Sequence, residues 1–86
     1  MLGFCVVEFR LEKPAFVVEL HVRGAVQSRG MGRRLLMEAL GTAAAELHCH
    51  PDSEATGFYE RVGFERTPRP TPTGMCVYRR KRGGWS

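Results

Sequence analysis

The residues best placed to do chemistry run from Gln27 to Arg34, QSRGMGRR, where three arginines and two glycines separate a strand-like run from a helix-like run. The amino end of a helix carries roughly half a positive charge, and each cation added there costs ~0.3–1 kcal/mol unless an anion offsets it. Arg29, Arg33 and Arg34 all lie within a turn of that end, and the first acid downstream is Glu38. The pattern asks for a bound anion. Glycines suit this, because without side chains the backbone N–H groups can point at phosphate oxygens. A nucleoside-triphosphate loop is excluded, since Gly30 is followed by Met31, Gly32 and Arg33 where a lysine and a hydroxyl residue are needed. A dinucleotide fingerprint fits poorly: the third glycine is missing, and Asp52 opens a helix instead of closing a strand.

Other reactive side chains are scattered. His48 and His50 share one strand face, a spacing compatible with a metal pair, but Cys49 points away and no third ligand is evident, so no metal is expected. Cys5, Cys49 and Cys76 are an odd set without a CxxC, which argues against a disulfide framework and for three small buried residues in a reducing compartment.

The elements that must position these groups are legible from periodicity. Residues 2–9 and 15–22 read as strands joined by a hairpin turn, with Phe16, Val18, Leu20 and Val22 on one face of the second. Residues 23–29 read as loop. From Met31 the apolar positions Leu35, Leu36, Ala39, Leu40, Ala43, Ala44 and Leu47 follow helical spacing. Residues 46–50 suit a short strand, Asp52 or Ser53 can cap a second helix carrying Ala55, Phe58, Tyr59 and Val62, and Gly63 ends it. Strands are predicted at 64–67 and 75–80, around a proline-rich loop. The fold class is therefore α/β, a mixed sheet of order β-β-α-β-α-β-β, with parallel β-α-β crossovers and antiparallel end hairpins.

At this point the chain resembles the GCN5-related N-acetyltransferases (GNAT). Gln27-x-x-Gly30-x-Gly32 is similar to the family's acetyl-coenzyme A loop, and Leu20-x-Val22 to the strand that runs beside the pantetheine arm. Ala55-x-x-Phe58-Tyr59-x-x-x-Gly63-Phe64 resembles the family's downstream helix, with Asp52 where Asn is usual. The resemblance implies acetyl-CoA as cosubstrate. It implies cofactor contacts at Leu20, His21, Val22, Gln27, Ser28, Arg29, Gly30, Met31, Gly32, Asp52 and Phe58, to which the position of Arg33 adds a phosphate contact. It further implies a backbone N–H near Leu20 to Val22 that polarises the thioester carbonyl, and Tyr59 as proton donor to the departing sulfur. A phenol with an ordinary pKa near 10 is protonated at neutral pH, as a donor must be. The family's histone-type members carry a glutamate at the position of Phe16, which cannot act as a base. Glu19 is the chosen substitute, ahead of His21 and Glu8.

Relative to that family the chain resembles a truncated acyl-CoA N-acyltransferase fold, lacking the N-terminal strand and helices that wall the acceptor groove. At 86 residues it is one domain, 1–80, followed by the basic tail RRKRGGWS from 79, of which 81–86 lie beyond the domain. The expected function is transfer of acetyl to an amine, such as a protein amino terminus or lysine; the alternative is a non-catalytic domain that binds coenzyme A or a partner protein. The net charge of +4 favours acidic ligands, but basic residues without interleaved exposed aromatics argue against nucleic acid. No apolar run approaches a membrane span and no leader opens the chain, so the expectation is a soluble cytoplasmic protein, or a nuclear one in a eukaryotic cell. A homodimer is compatible with all of this.

Overall fold

In a computed structural model, which describes residues 3–22 and 30–85, two helices cover one face of a five-stranded sheet. Strands β1 (Gly3–Glu8) and β2 (Ala15–Val22) form the antiparallel hairpin. Helix α1 (Met31–Leu40) then crosses to β3 (Ala45–Cys49), which lies parallel to β2. Helix α2 (Ala55–Arg61) leads to β4 (Glu65–Arg66), and β5 (Cys76–Arg80) ends the sheet in sequence. The spatial order is β1-β2-β3-β5-β4. This is the expected β-β-α-β-α-β-β architecture. β4 runs in the direction of β3, as a crossover requires, but β5 slots between them, antiparallel to both. Alternation explains the order: β5 buries Cys76, Tyr78 and Arg80, whereas both residues of β4 are exposed and belong at an edge.

Ala15, Val17, Leu36, Leu40, Ala45, Leu47, Val62, Phe64, Cys76 and Tyr78 form the core between sheet and helices. Each buried Val, Leu or Phe contributes about 1.5–3 kcal/mol.

Two details differ from the periodic reading. Ala15 and Val17, not Phe16 and Val18, turn to the core at the start of β2. The register slips between Val6 and Val7, which face Glu19 and Val17, so Val18 is an extra residue and stands 52% exposed. This bulge resets the alternation by one, and Leu20 turns inward again. Helical spacing also extended too far, because α1 stops at Leu40. Gly41 has φ 57 and donates its N–H to Met37 O at 2.8 Å, and Ala45 and Leu47 pack from β3 instead.

Ser53 accepts the Ala55 N–H at 3.1 Å, as its capping role predicted, and Gly63 follows α2 with φ 112. Residues 81–85 fold back on the end of α1: Gly83 N–H reaches Thr42 O at 2.9 Å and Trp85 Nε1–H reaches Gly41 O at 2.8 Å. Among the described residues no helix is long and apolar enough to cross a membrane.

Candidate functional site

The site begins where two strands part. Pairing between β2 and β3 covers Ala15 with Ala45 and Phe16 with Glu46, yet β2 continues to Val22 and β3 to Cys49. The Val18 bulge, two residues after the last pair, adds local twist that carries β2 away. On the helix side of this fork lies a groove of about 570 Å³. Leu20 and Val22 line it from β2, Gly32 from α1, and Phe58 and Tyr59 from α2, so five of the expected site residues meet there.

The two glycines of the loop have different jobs. Gly30 precedes α1 with φ 74, a conformation that L side chains resist, and a Cβ there would touch nothing within 4 Å. That position is open among the described residues. Gly32 is buried, and its absent Cβ would lie 3.0 Å from Phe58 Cζ. Close approach of the two helices is thus a second reason for glycine here, beside the expected baring of its backbone N–H toward phosphate. No acid lies in the first turn of α1. Arg34 pairs with Glu38 at 3.2 Å, so the first acid downstream already serves one arginine of the basic cluster. Arg33 is exposed and Met31 half-buried. Gln27, Ser28 and Arg29, and with them the predicted loop 23–29, lie outside the described residues.

Tyr59 is half-buried, its ring 5.4 Å from Phe58, 5.9 Å from Phe64 and 6.4 Å from Tyr78. Burial, reinforced by the nearby thiols of Cys49 and Cys5, pushes its phenol above the ordinary value. The hydroxyl therefore stays protonated at neutral pH. Burial also raises the Cys5 and Cys49 thiols, helped for Cys49 by Cys76 and opposed by Arg66. Neither is primed as a nucleophile.

Glu19 and His21 are exposed on the opposite sheet face, where His21 stacks on Phe4 at 5.5 Å. Only the backbone of His21 is available to the groove. Asp52 is exposed in the turn before α2 and does not line the groove; its neighbours Ser53 and Glu54 do.

One arrangement escaped the sequence reading. On the outer face of β3, Glu46 accepts from His48 Nε2 at 2.9 Å and from Arg79 Nε at 2.9 Å, while Phe16 meets the His48 ring edge-on at 4.9 Å. Burial opposes ionisation of Glu46, but the bonds from His48 and Arg79 outweigh it and hold the carboxyl below its ordinary value. The Glu46-x-His48 spacing was the available signal; from sequence His48 was weighed only with His50, as a metal pair, and no metal was expected there. Among the described residues no three His, Cys, Asp or Glu side chains cluster as metal ligands.

A sheet forked beside a glycine-started helix, with a tyrosine closing the groove, is the frame of a GNAT acetyltransferase. Residues 1–66 match the acetyltransferase (GNAT) domain, and the chain belongs to that family. It is 37% identical over 93 residues to an uncharacterized protein of Mycobacterium leprae (strain TN), across 95% of this chain and 26% of that relative. Its backbone superposes on the crystal structure of the PaiA N-acetyltransferase from Thermoplasma acidophilum, in complex with coenzyme A, with a TM-score of 0.80 at 22% identity. The match covers 93% of this chain and 53% of that one. Ard1 from Thermoplasma volcanium superposes with a TM-score of 0.68 at 23% identity, over 91% of this chain and 60% of the other. At such identities the likeness is one of fold. The chain spans about a quarter of the mycobacterial relative and just over half of the two archaeal structures.

Proposed function

We propose that this chain binds acetyl-coenzyme A in the groove and transfers the acetyl group to an amine. The parting of β2 from β3 after Phe16 and Glu46 carries the reading, because it sets the backbone of Leu20 to Val22 beside a groove closed by a protonated phenol. The complex of the PaiA relative with coenzyme A supports it. So does the fit of the residues: Gly30 starts α1 without a side chain, and Phe58 packed on Gly32 gives the groove an apolar floor.

Acetyl-coenzyme A supplies the activated thioester; the rest falls to the chain. The first amides of α1, with Gln27 to Gly32 and Arg33, hold the phosphates. A β2 amide near Leu20 to Val22 donates to the carbonyl oxygen as negative charge develops there, a contribution of about 2.7–4 kcal/mol in comparable oxyanion sites. Tyr59 gives its proton to the leaving sulfur. With Cys5 and Cys49 held protonated, direct attack by the amine is favoured over a thiol-bound intermediate.

The base must reach the amine from the outer side of the fork. Glu19 stands there, exposed. The Glu46–His48 pair favours a second reading. His48 sits two residues past the last β2–β3 pair, and donation from Nε2 to Glu46 leaves Nδ1 as the basic atom. The acceptor we propose is the amine of a protein terminus or lysine.

Calorimetry with acetyl-coenzyme A, followed by thiol-release assays against amine and peptide libraries, tests the proposal. Saturable binding with release of thiol is expected. Binding without release would leave a coenzyme A-binding domain, and no binding would end the reading altogether.

A further inference from the structure

A second cavity, of about 670 Å³, lies near the other end of the helix layer, lined in part by Arg66, Arg80 and Lys81 and by the acids Glu60 and Glu65. Arg80 is 2% exposed. Its Nη2 donates to the Ala43 carbonyl, but Nε and Nη1 are shut from solvent and meet no acceptor among the described residues. The Trp85 ring covers the guanidinium, with Cζ 3.8 Å from the ring centroid. Stacking engages the face of the guanidinium, whereas its N–H donors lie in the plane, so the indole attracts the charge without satisfying the donors. Glu60 is occupied with the Tyr78 hydroxyl at 2.9 Å. Burial pulls the Arg80 pKa down, yet an arginine remains protonated at neutral pH. The molecule thus holds a buried cation with unmet donors beside a cavity.

We propose that Arg80 is the centre of an oxyanion-binding site, in which a carboxylate or phosphate oxygen comes in from this cavity and takes the in-plane donors left unmet by the Trp85 stack. Hydrogen bonds from a guanidinium to an oxyanion are charge-assisted and among the stronger polar contacts. Residues 81–85 are the cover. They are tied by Gly83 N–H to Thr42 O, Gly84 N–H to Lys81 O and Trp85 Nε1–H to Gly41 O, so a small displacement of a short segment opens the path.

Trp85 is the chain's single tryptophan, and its emission reports directly on Arg80. The full chain is titrated with inorganic phosphate and, separately, acetate, at ionic strength held constant with sodium chloride. A saturable change in Trp85 emission with one of the two is expected, and which one responds identifies the oxyanion. Arg80→Met, folded by circular dichroism, weakens the response about tenfold or more. Should that variant fail to fold, Arg80→Lys shows the same weakening, because it keeps the charge and loses the planar donors. No saturable response in the wild-type chain, an undiminished response in a folded Arg80 variant, or a response abolished by saturating coenzyme A would each overturn the proposal, the last by placing the anion in the groove.

Discussion

The two ends of α1 use glycine alike and hydrogen bonds oppositely. Gly30 and Gly41 both have positive φ, 74 and 57, with open space where a Cβ would be. At the carboxyl end Met37 O accepts from Gly41 N–H and Leu40 O from Ala43 N–H, and just beyond it the carbonyls of Gly41, Thr42 and Ala43 accept from Trp85, Gly83 and Arg80, supplied by β5 and the segment after it. At the amino end no side chain caps the helix and no acid lies in the first turn. Helix termini carry orphan backbone groups that must find partners. An end satisfied by the chain itself is architecture. An end without such partners among the described residues, facing a groove, is where the proposed coenzyme A would bind.

The sharpest way to break that contrast is to exchange the roles of two tyrosines. Tyr59 lines the groove, whereas Tyr78 is 1% exposed and donates to Glu60. Tyr59→Phe should lower kcat by about 10²–10⁴-fold with little change in KM for acetyl-coenzyme A, as loss of a general acid does. Steady-state kinetics decide. An active wild-type chain whose turnover is indifferent to the substitution would remove Tyr59 from the chemistry.

The outer side of the fork admits a second test. If His48 is the base, His48→Gln should reduce kcat/KM by about 10²-fold, while Glu19→Gln changes it by less than about threefold. The reverse pattern would return the role to Glu19.

Gly32 measures how far packing and binding are joined at the open end. An alanine Cβ placed 3.0 Å from Phe58 Cζ makes the ring give by a few tenths of an ångström. Against a packing cost of about 1–3 kcal/mol the helix gains about 1 kcal/mol from losing glycine, so the expected outcome in urea unfolding is a small net loss. Coenzyme A affinity should fall with it, since Phe58 lines the groove. Phe58→Leu in the same chain should recover part of the stability. A raised midpoint for Gly32→Ala would show that the two helices are not in close contact.

The open end was far more legible in sequence than the closed one. Glycines and cations between Gly30 and Arg34 raise the expectation of a phosphate before any packing is known, and the family resemblance implies the role of Tyr59. Period-two alternation located the strands but not the Val18 bulge, because an inserted residue is visible only against the partner strand. β5 was found, whereas its place between β3 and β4 depends on which strand has a buried face to offer. Arg80 and Trp85 went unread for a similar reason: in RRKRGGWS a buried arginine looks like its exposed neighbours until the carbonyls of Gly41 to Ala43 are seen above it. Local chemistry is written locally. Closure by a distant segment is not.

The smallest expected effect belongs to the closed end and depends on pH. Burial, then the hydrogen bond to Glu60 and its charge, push the Tyr78 hydroxyl from its ordinary 10.0 up to about 12. A folded-state pKa above the unfolded one means that the native chain holds the proton more tightly. The resulting stabilisation is complete below about pH 10, where Tyr78 is protonated in both states, and is lost as the pH rises from there through about 12. Tyr78→Phe removes one hydrogen bond and should lower stability near neutrality by about 0.5–1.5 kcal/mol. Glu60 is exposed, so water can replace the lost donor and no buried acceptor is stranded. Urea unfolding of both chains from neutral to strongly alkaline pH gives the comparison, in which other groups that titrate in the window, Tyr59 included, cancel in the difference. The wild-type advantage should be flat to about pH 10 and then decline. An advantage that stays constant through that range would mean that Tyr78 is held by packing alone and that its bond to Glu60 contributes nothing.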